Sequence, residues 1–216
     1  MSAPLVIGLC GPARSGKTTL ARHFAARGFV VVALGDRLKE DLLTLDPLVS
    51  IDLSSTRERR LQPASAIVSD NKTVAFTPLS VLIKERGWEG AKRIAHVGSL
   101  LQRFGSEAGW MSHGPEHWTK FIDQTIVATD QPVVVSDVRI PHEAEWVTDD
   151  RPFGHDGVLI GIERTSRRDV RDAEHVSERH SSQLSPTVTL LNDGSKAELF
   201  AAADDFIERI VKSKGL

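Results

Sequence analysis

The sequence predicts an α/β fold, a doubly wound parallel sheet of about five strands, and three observations carry that prediction. Short apolar runs bounded by glycine or proline recur along the chain, as strands buried on both faces require. Segments with apolar residues at helical spacing alternate with them. A glycine-rich turn joins the first run to the first helical segment. A chain of 216 residues can bury a substantial core in one such domain, and 40% hydrophobic with 26% charged residues is an ordinary globular composition.

Val6 to Leu9 read as a buried strand, and Lys17 to Ala26 as a helix closed by Gly28. "GFVVVALGD" reads as a second central strand, so strand, helix and strand form a right-handed parallel crossover. "DRLKEDLLTLDP" is an amphipathic helix stopped by Pro47. The polar stretch from Ser50 to Thr77 is expected to be a long, mobile loop. Pro78 to Ala128 reads as mainly helical, with "AKRIAHVGSLLQRFG" and "EHWTKFIDQTIVA" carrying apolar residues at helical spacing. In "QPVVVSDVRIPHEAEWV", Pro132 opens a buried strand, Asp137 lies at its carboxyl end and a helix follows Pro141. "GVLIGIER" and "TVTLL" are the last strands, separated by a charged segment, and "SKAELFAAADDFIERIVKS" is a closing amphipathic helix. The expected organisation is a single domain over 1–216: a core over about 1–46 and 130–216, a helical insertion over about 47–129, and a lid over about 165–185.

Charge and cysteine content narrow the function classes. A formal net charge of -2 offers no overall basic field for a nucleic-acid backbone. Cys10 is the only cysteine, which excludes an intramolecular disulfide and fits a reducing compartment. No apolar run approaches the roughly 18 residues of a membrane helix, and "MSAPLVIGLCG" lacks a basic leader region, so a cytoplasmic location is expected.

Gly11 to Thr18 read "GPARSGKT", a match to G-x-x-x-x-G-K-[ST] lying between a strand and a helix. Glycine at positions 11 and 16 lets backbone amides turn around phosphate oxygens, and the helix amino end adds favourable potential. Lys17 supplies a mobile positive charge to the β and γ phosphates, and the Thr18 hydroxyl is a candidate magnesium ligand. Gly11, Ala13, Arg14, Ser15, Gly16, Lys17, Thr18 and Thr19 are the expected ATP-binding set, with Arg14 placed to reach the transferring phosphoryl group. The motif sharpens the fold class to a P-loop three-layer α/β/α domain, which carries the mainly helical insertion and the lid placed above.

A P-loop alone does not separate a switch, a motor and a small-molecule kinase. The chain has no N-K-x-D and D-x-x-G pair in order, and it is short and almost neutral, which argues against a GTPase switch and a polymer motor. Phosphoryl transfer to a phosphorylated acceptor needs cations to gather two polyanions, and the chain supplies them late. Arg139 follows a buried strand's carboxyl edge, Arg164 follows "LIGIE", and Arg167, Arg168 and Arg171 lie in the charged segment that suits a lid. Asp137 admits two functional readings, orienting hydrated magnesium or accepting hydrogen bonds from acceptor hydroxyls, beside a purely structural one as a turn-forming Asp. His113 and His117, four apart, make only half a zinc site, and "SSTRERRLQP" has no interleaved aromatics to stack on bases.

"GPARSGKTTLA", "LGDRLKE", "LLQRFGSEAGW", "EHWTKF", "SDVRIPHEAEWV", "EHVSE" and "TLLNDGS", in this order, resemble the deoxynucleoside monophosphate kinases of tailed bacteriophages across nearly the whole chain. The resemblance implies ATP- and magnesium-dependent conversion of a deoxynucleoside monophosphate to the diphosphate, in a host cytoplasm. It implies acceptor contacts from Asp36, Lys39, Gln102, Arg103, Gly105 and Trp118, with Asp137, Arg139 and Glu143 at the pocket floor. Arg164 and Arg168 would belong to the lid and Asn192 would lie near adenine. Trp118 has an ordinary alternative as a buried helix anchor. The expected partners are small-molecule nucleotides, with a homodimer left open and neither a stable nucleic-acid complex nor a membrane expected. Animal phosphomevalonate kinases share a similar loop and a D-V-R segment, and are the competing resemblance.

Overall fold

A computed structural model describes residues 4–53, 65–69, 72–149, 156–165 and 183–214. The chain divides into two compact units, one formed by Met1–Leu34 with Trp118–Leu216, the other by Gly35–His117.

The first unit is built on strands β1 (Leu5–Cys10), β2 (Val30–Val32), β6 (Val133–Val135), β7 (Asp156–Glu163) and β8 (Val188–Leu191). They form one sheet in the order β2-β6-β1-β7-β8, and every pairing is parallel. This is the predicted five-stranded doubly wound sheet. β1 lies at its centre, where the connections change from one side of the sheet to the other, and every residue of β1 is buried. β2, which the sequence reads as central, is an edge strand with Val31 39% exposed. A run of valines fixes that a strand forms; its place in the sheet depends on β6, some hundred residues later, inserting between β2 and β1.

Helices α1 (Lys17–Ala26) and α8 (Lys196–Lys214) cover one face. Leu20 and Phe24 of α1, and Leu199, Ala203 and Ile207 of α8, cluster with Leu5, Ile7 and Leu9 of β1 and Ile160 and Ile162 of β7. Each of the Leu, Ile and Phe side chains, when fully buried, contributes about 1.5–3 kcal/mol of transfer free energy. Polar contacts tie the same two helices at the surface, where Asp204 accepts from Arg27 Nη1 at 2.5 Å and meets His23 Nε2 at 2.9 Å, while His23 stacks on Phe200. On the opposite face α7 (Pro141–Thr148) packs against β1 and β7. Its Trp146 donates from Nε1 to Asp123 of α6 (Thr119–Val127) at 2.9 Å. Pro141 is the first residue of α7, where its missing amide costs nothing. The result is a three-layer α/β/α arrangement.

The second unit holds most of α2 (Leu34–Leu45), then β3 (Leu48–Asp52), β4 (Ser65–Ser69), β5 (Lys72–Pro78), α3 (Leu79–Ala91, broken at Gly87), α4 (Ala95–Arg103) and the short α5 (Met111–His113). A π-helical stretch, Phe104–Trp110, joins α4 to α5. The expectation of a loop from Ser50 to Thr77 is corrected here: β3, β5 and β4 form a three-stranded antiparallel sheet in that order. In β3 the buried Val49 and Ile51 alternate with Ser50 and Asp52, and in β5 Ala75 is buried between half-buried Val74 and Phe76; Val49, Ile51 and Ala75 cluster with Leu42, Leu79, Leu82 and Val97 while the stretch as a whole looks hydrophilic. In the edge strand β3, the Ser50 amide donates to Nδ1 of His96 on α4 at 2.8 Å, and Ser50 Oγ lies 2.8 Å from the same atom. Among the described residues no helix is long and apolar enough to cross a membrane.

Candidate phosphate-binding site

The segment Gly11–Gly16 leaves the carboxyl end of β1, and α1 begins at Lys17. The sign of φ alternates along it: Gly11 at 133°, Arg14 at 62° and Gly16 at 122° are positive, and the residues between them are not. Such alternation curls successive amides into an anion-binding concavity. A side chain is excluded sterically at Gly11 and is disfavoured by the positive φ at both glycines. A Cβ on Gly11 would collide with the Ile162 carbonyl oxygen, and one on Gly16 with the side-chain amide of Asn192. The Ser15 amide donates to Pro12 O at 3.3 Å, and Leu20 N to Gly16 O at 3.0 Å opens the helix.

Lys17 Nζ folds back onto the loop, donating to Gly11 O at 2.6 Å and Pro12 O at 2.7 Å. Charged phosphate oxygens are stronger acceptors than these carbonyls and compete for the ammonium. Arg14 and Thr18 are exposed, Ala13 is exposed, and Thr19 is half-buried. Ser15 is buried, and its Oγ has no hydrogen-bond partner among the described residues. Burial pushes the thiol of Cys10, the last residue of β1, up to about 11, with Lys17 opposing. The thiol therefore stays protonated and behaves as a small apolar group.

Asp137 stands just past the carboxyl end of β6, held beside the loop by its neighbours. Ser136 N donates to Val32 O at 2.9 Å and Val138 N to Leu9 O at 3.1 Å, so this turn is clamped to the strands on both sides. One Asp137 oxygen accepts from the Leu34 amide at 2.7 Å and caps the start of α2. That capping task is not visible in the sequence, because 103 residues separate the partners. Arg139 is exposed. Glu143 Oε2 accepts from the Arg139 amide at 2.7 Å and the Ile140 amide at 3.2 Å, fixing the D-V-R turn from the first turn of α7.

Burial, opposed by those two amides and reinforced by the charge of Asp137, pushes the Glu143 carboxyl up to about 7. A carboxyl raised in the folded state binds more protons folded than unfolded between its ordinary value of 4.5 and about 7. Its contribution to stability is therefore complete below pH 4.5 and is lost as pH rises through 7, a change on the order of 3 kcal/mol. Glu143→Gln, neutral throughout, is expected to flatten the stability profile between those limits and to melt higher than the wild type at pH 8. Denaturant midpoints measured across that range check this; an unchanged slope would refute the assignment.

The remaining predicted residues fall in both units. Arg164 directly follows β7, and its Nε is buried with no partner among the described residues. Arg168, Arg167 and Arg171, and most of the expected lid, lie outside the described residues. Asn192 donates from Nδ2 to the Ser15 carbonyl at 2.6 Å, which brings it to the phosphate loop. Trp118 is buried beside the start of α6 with its ring tilted on Phe121, the packing that its reading as a helix anchor requires. In the second unit Asp36 and Lys39 pair at 2.7 Å, Arg103 grips Glu107 through two 2.9 Å contacts, and Gln102 O accepts from Ser106. Gly105 packs closely on Leu38. Two groups escaped sequence reasoning. Asp193 accepts from Thr165 N at 2.8 Å and from Thr165 Oγ1, and the only signal for it is the turn composition of "NDGS". His142 has a buried Nε2 with no partner among the described residues, signalled only by its place between Pro141 and Glu143.

No protein-family model matches the chain, and no curated protein matches it in sequence. Among solved structures it is similar to TT1252 from Thermus thermophilus, at 15% identity and a TM-score of 0.45 over 96% of this chain and 98% of that one. A gluconokinase from Sinorhizobium meliloti 1021 is similar at 14% identity and a TM-score of 0.45, over 99% and 97% of the two chains. A shikimate kinase from Bacteroides thetaiotaomicron follows at 11% identity and a TM-score of 0.37, over 98% and 99%. These likenesses are distant, and the fold assignment rests on the strand order and the phosphate loop.

Proposed function

We propose that this chain is a kinase that moves the γ-phosphoryl group of ATP onto a small phosphorylated acceptor, and that the acceptor is a deoxynucleoside monophosphate. The observation that carries the phosphoryl-transfer reading is the loop between β1 and α1, with its alternating φ signs and with the Lys17 ammonium resting on the loop's own carbonyls. The choice of acceptor is supported by the ordered motifs shared with the phage enzymes, above all Asp137, Arg139 and Glu143 on one fixed turn beside β1.

An acceptor phosphate oxygen attacks the γ-phosphorus, the bond to the β–γ bridging oxygen breaks, and the bridging oxygen leaves on ADP; no covalent intermediate on the protein is required. The protein's part is to orient the partners and to meet charge spreading over the transferred group. Lys17 and Arg14 serve the donor; Arg139, Arg164 and Arg168 serve the acceptor and the transition state. Thr18 and Asp137 offer the hard oxygen donors that magnesium takes, and Ser15 adds a buried hydroxyl with no partner among the described residues. Bound there, magnesium would neutralise charge on the β and γ phosphates.

The test is a panel of ribo- and deoxyribonucleoside monophosphates and phosphomevalonate, each supplied with ATP and magnesium while ADP release is followed. Stimulation by one or more deoxynucleoside monophosphates is expected. Stimulation by phosphomevalonate alone would replace the acceptor, and tight ATP binding with no stimulated turnover would replace a kinase by a nucleotide-holding module.

A further inference from the structure

We infer that Asn192 and Asp193 are positioning residues that set the phosphate loop and Arg164 in one frame, with Asn192 acting on the loop backbone rather than on the base of the nucleotide. The inference rests on the kinase reading above and names the residues that hold its donor side.

Three connections leave this dipeptide, which follows the last strand β8. Asn192 Nδ2 donates to the Ser15 carbonyl at 2.6 Å, in the middle of the loop. The Asn192 amide donates to Glu163 O at 2.7 Å, immediately before Arg164. The Asp193 carboxylate accepts from the Thr165 amide at 2.8 Å and from the Thr165 hydroxyl, immediately after Arg164. Arg164 is thus flanked on both sides by residues held by this dipeptide, which reaches the loop through Asn192. The pair is itself seated on α8, whose start is capped reciprocally: Ser195 N donates to Glu198 Oε2 at 2.7 Å and Glu198 N to Ser195 Oγ at 3.2 Å.

The space around Gly16 points the same way. A side chain there would strike the Asn192 amide, so the loop and this amide are fitted to each other. By holding the Ser15 carbonyl, Asn192 fixes the peptide that joins Ser15 to Gly16 and hence the orientation of the Gly16 amide. An adenine contact predicts a different dependence on ligand, because it involves only the base.

The experiment is calorimetry on the full chain, with magnesium, using ATP and inorganic tripolyphosphate as the two probes. The wild type is expected to bind both. Asn192→Asp sets an acceptor against the Ser15 carbonyl and is expected to weaken both ligands by the same factor, roughly 10- to 100-fold. Asn192→Ala, which removes the donor without adding charge, is expected to weaken both in parallel by a smaller factor, and it carries the test if the charged variant does not fold. Asp193→Ala is expected to lower kcat with the best acceptor about tenfold or more while tripolyphosphate affinity stays unchanged, since its route to the reaction is Arg164. Loss of ATP affinity with tripolyphosphate binding intact in the Asn192 variants would make Asn192 a base contact and overturn the inference. So would affinities unchanged for both ligands. A folded wild type that binds neither probe would remove the phosphate-loop reading itself, and this inference with it.

Discussion

Lys17→Ala is expected to lower kcat by roughly two to three orders of magnitude, the loss that follows removal of one preorganised charge from a transition state. The reason is local. Lys17 is the first residue of α1, directly after the loop, and its flexible stem carries the ammonium to Gly11 O and Pro12 O. In phosphoryl transfer negative charge spreads over the equatorial oxygens of the moving group, and a point charge at the loop answers it where a neutral methyl does not. The cost to folding is small by comparison. Both contacts are partly or wholly exposed and accept from a mobile side chain, so together they contribute about 1–2 kcal/mol. Steady-state kinetics beside a thermal melt distinguish these effects: a large fall in turnover with a melting temperature near that of the wild type is the expected pair. Undiminished turnover in the folded variant would remove Lys17 from the machinery.

Gly157→Ala is expected to be the more damaging change for the fold, at about 4 kcal/mol or more. Gly157 lies at the beginning of β7, paired with Val6 in the central strand, and the last turn of α7 crosses it closely. An added Cβ would fall onto the Val147 carbonyl oxygen, would lie 2.6 Å from the carbonyl carbon and would come within 3.2 Å of Thr148 Cα. All three are backbone atoms, so no side-chain rotation relieves the clash. Either α7 lifts from the sheet, opening the packing of Val147 and Trp146, or β7 loses its register with β1. Urea unfolding reads the result as a large drop in midpoint, and a shift of less than about 1 kcal/mol would show that α7 gives way at little cost.

What the sequence made legible is what short-range chemistry determines. The phosphate loop declares itself because glycine, lysine and threonine are demanded within eight consecutive positions, and the surrounding strand and helix follow from period alone. The valines of β6 and the proline that starts α7 are equally local. β3 was obscured because its buried Val49 and Ile51 alternate with Ser50 and Asp52, and β5 because its short apolar run Val74–Phe76 is flanked by threonines, one of which, Thr77, is itself buried. The edge position of β2, the Asp137 cap on α2 and the Asn192 hold on the loop were illegible for another reason. Each depends on a partner more than a hundred residues away, as 103 for Asp137 with Leu34 and 177 for Asn192 with Ser15 show. The high affinity of Glu143 for its proton comes first from burial, which the sequence does not show, and only secondarily from Asp137 in the same segment. The same holds for Gly157, which reads as an unremarkable strand residue until the crossing helix is present.

The imidazole on α4 that takes the Ser50 amide has a consequence for how this protein keeps to itself. A sheet margin with unspent amides is a template for any other extended chain, and β3 is such a margin with its central donor already occupied by His96. Because the ring nitrogen accepts from that amide, an incoming strand finds the donor already used. His96→Ala would uncover the Ser50 amide, and self-association would then begin from this strand.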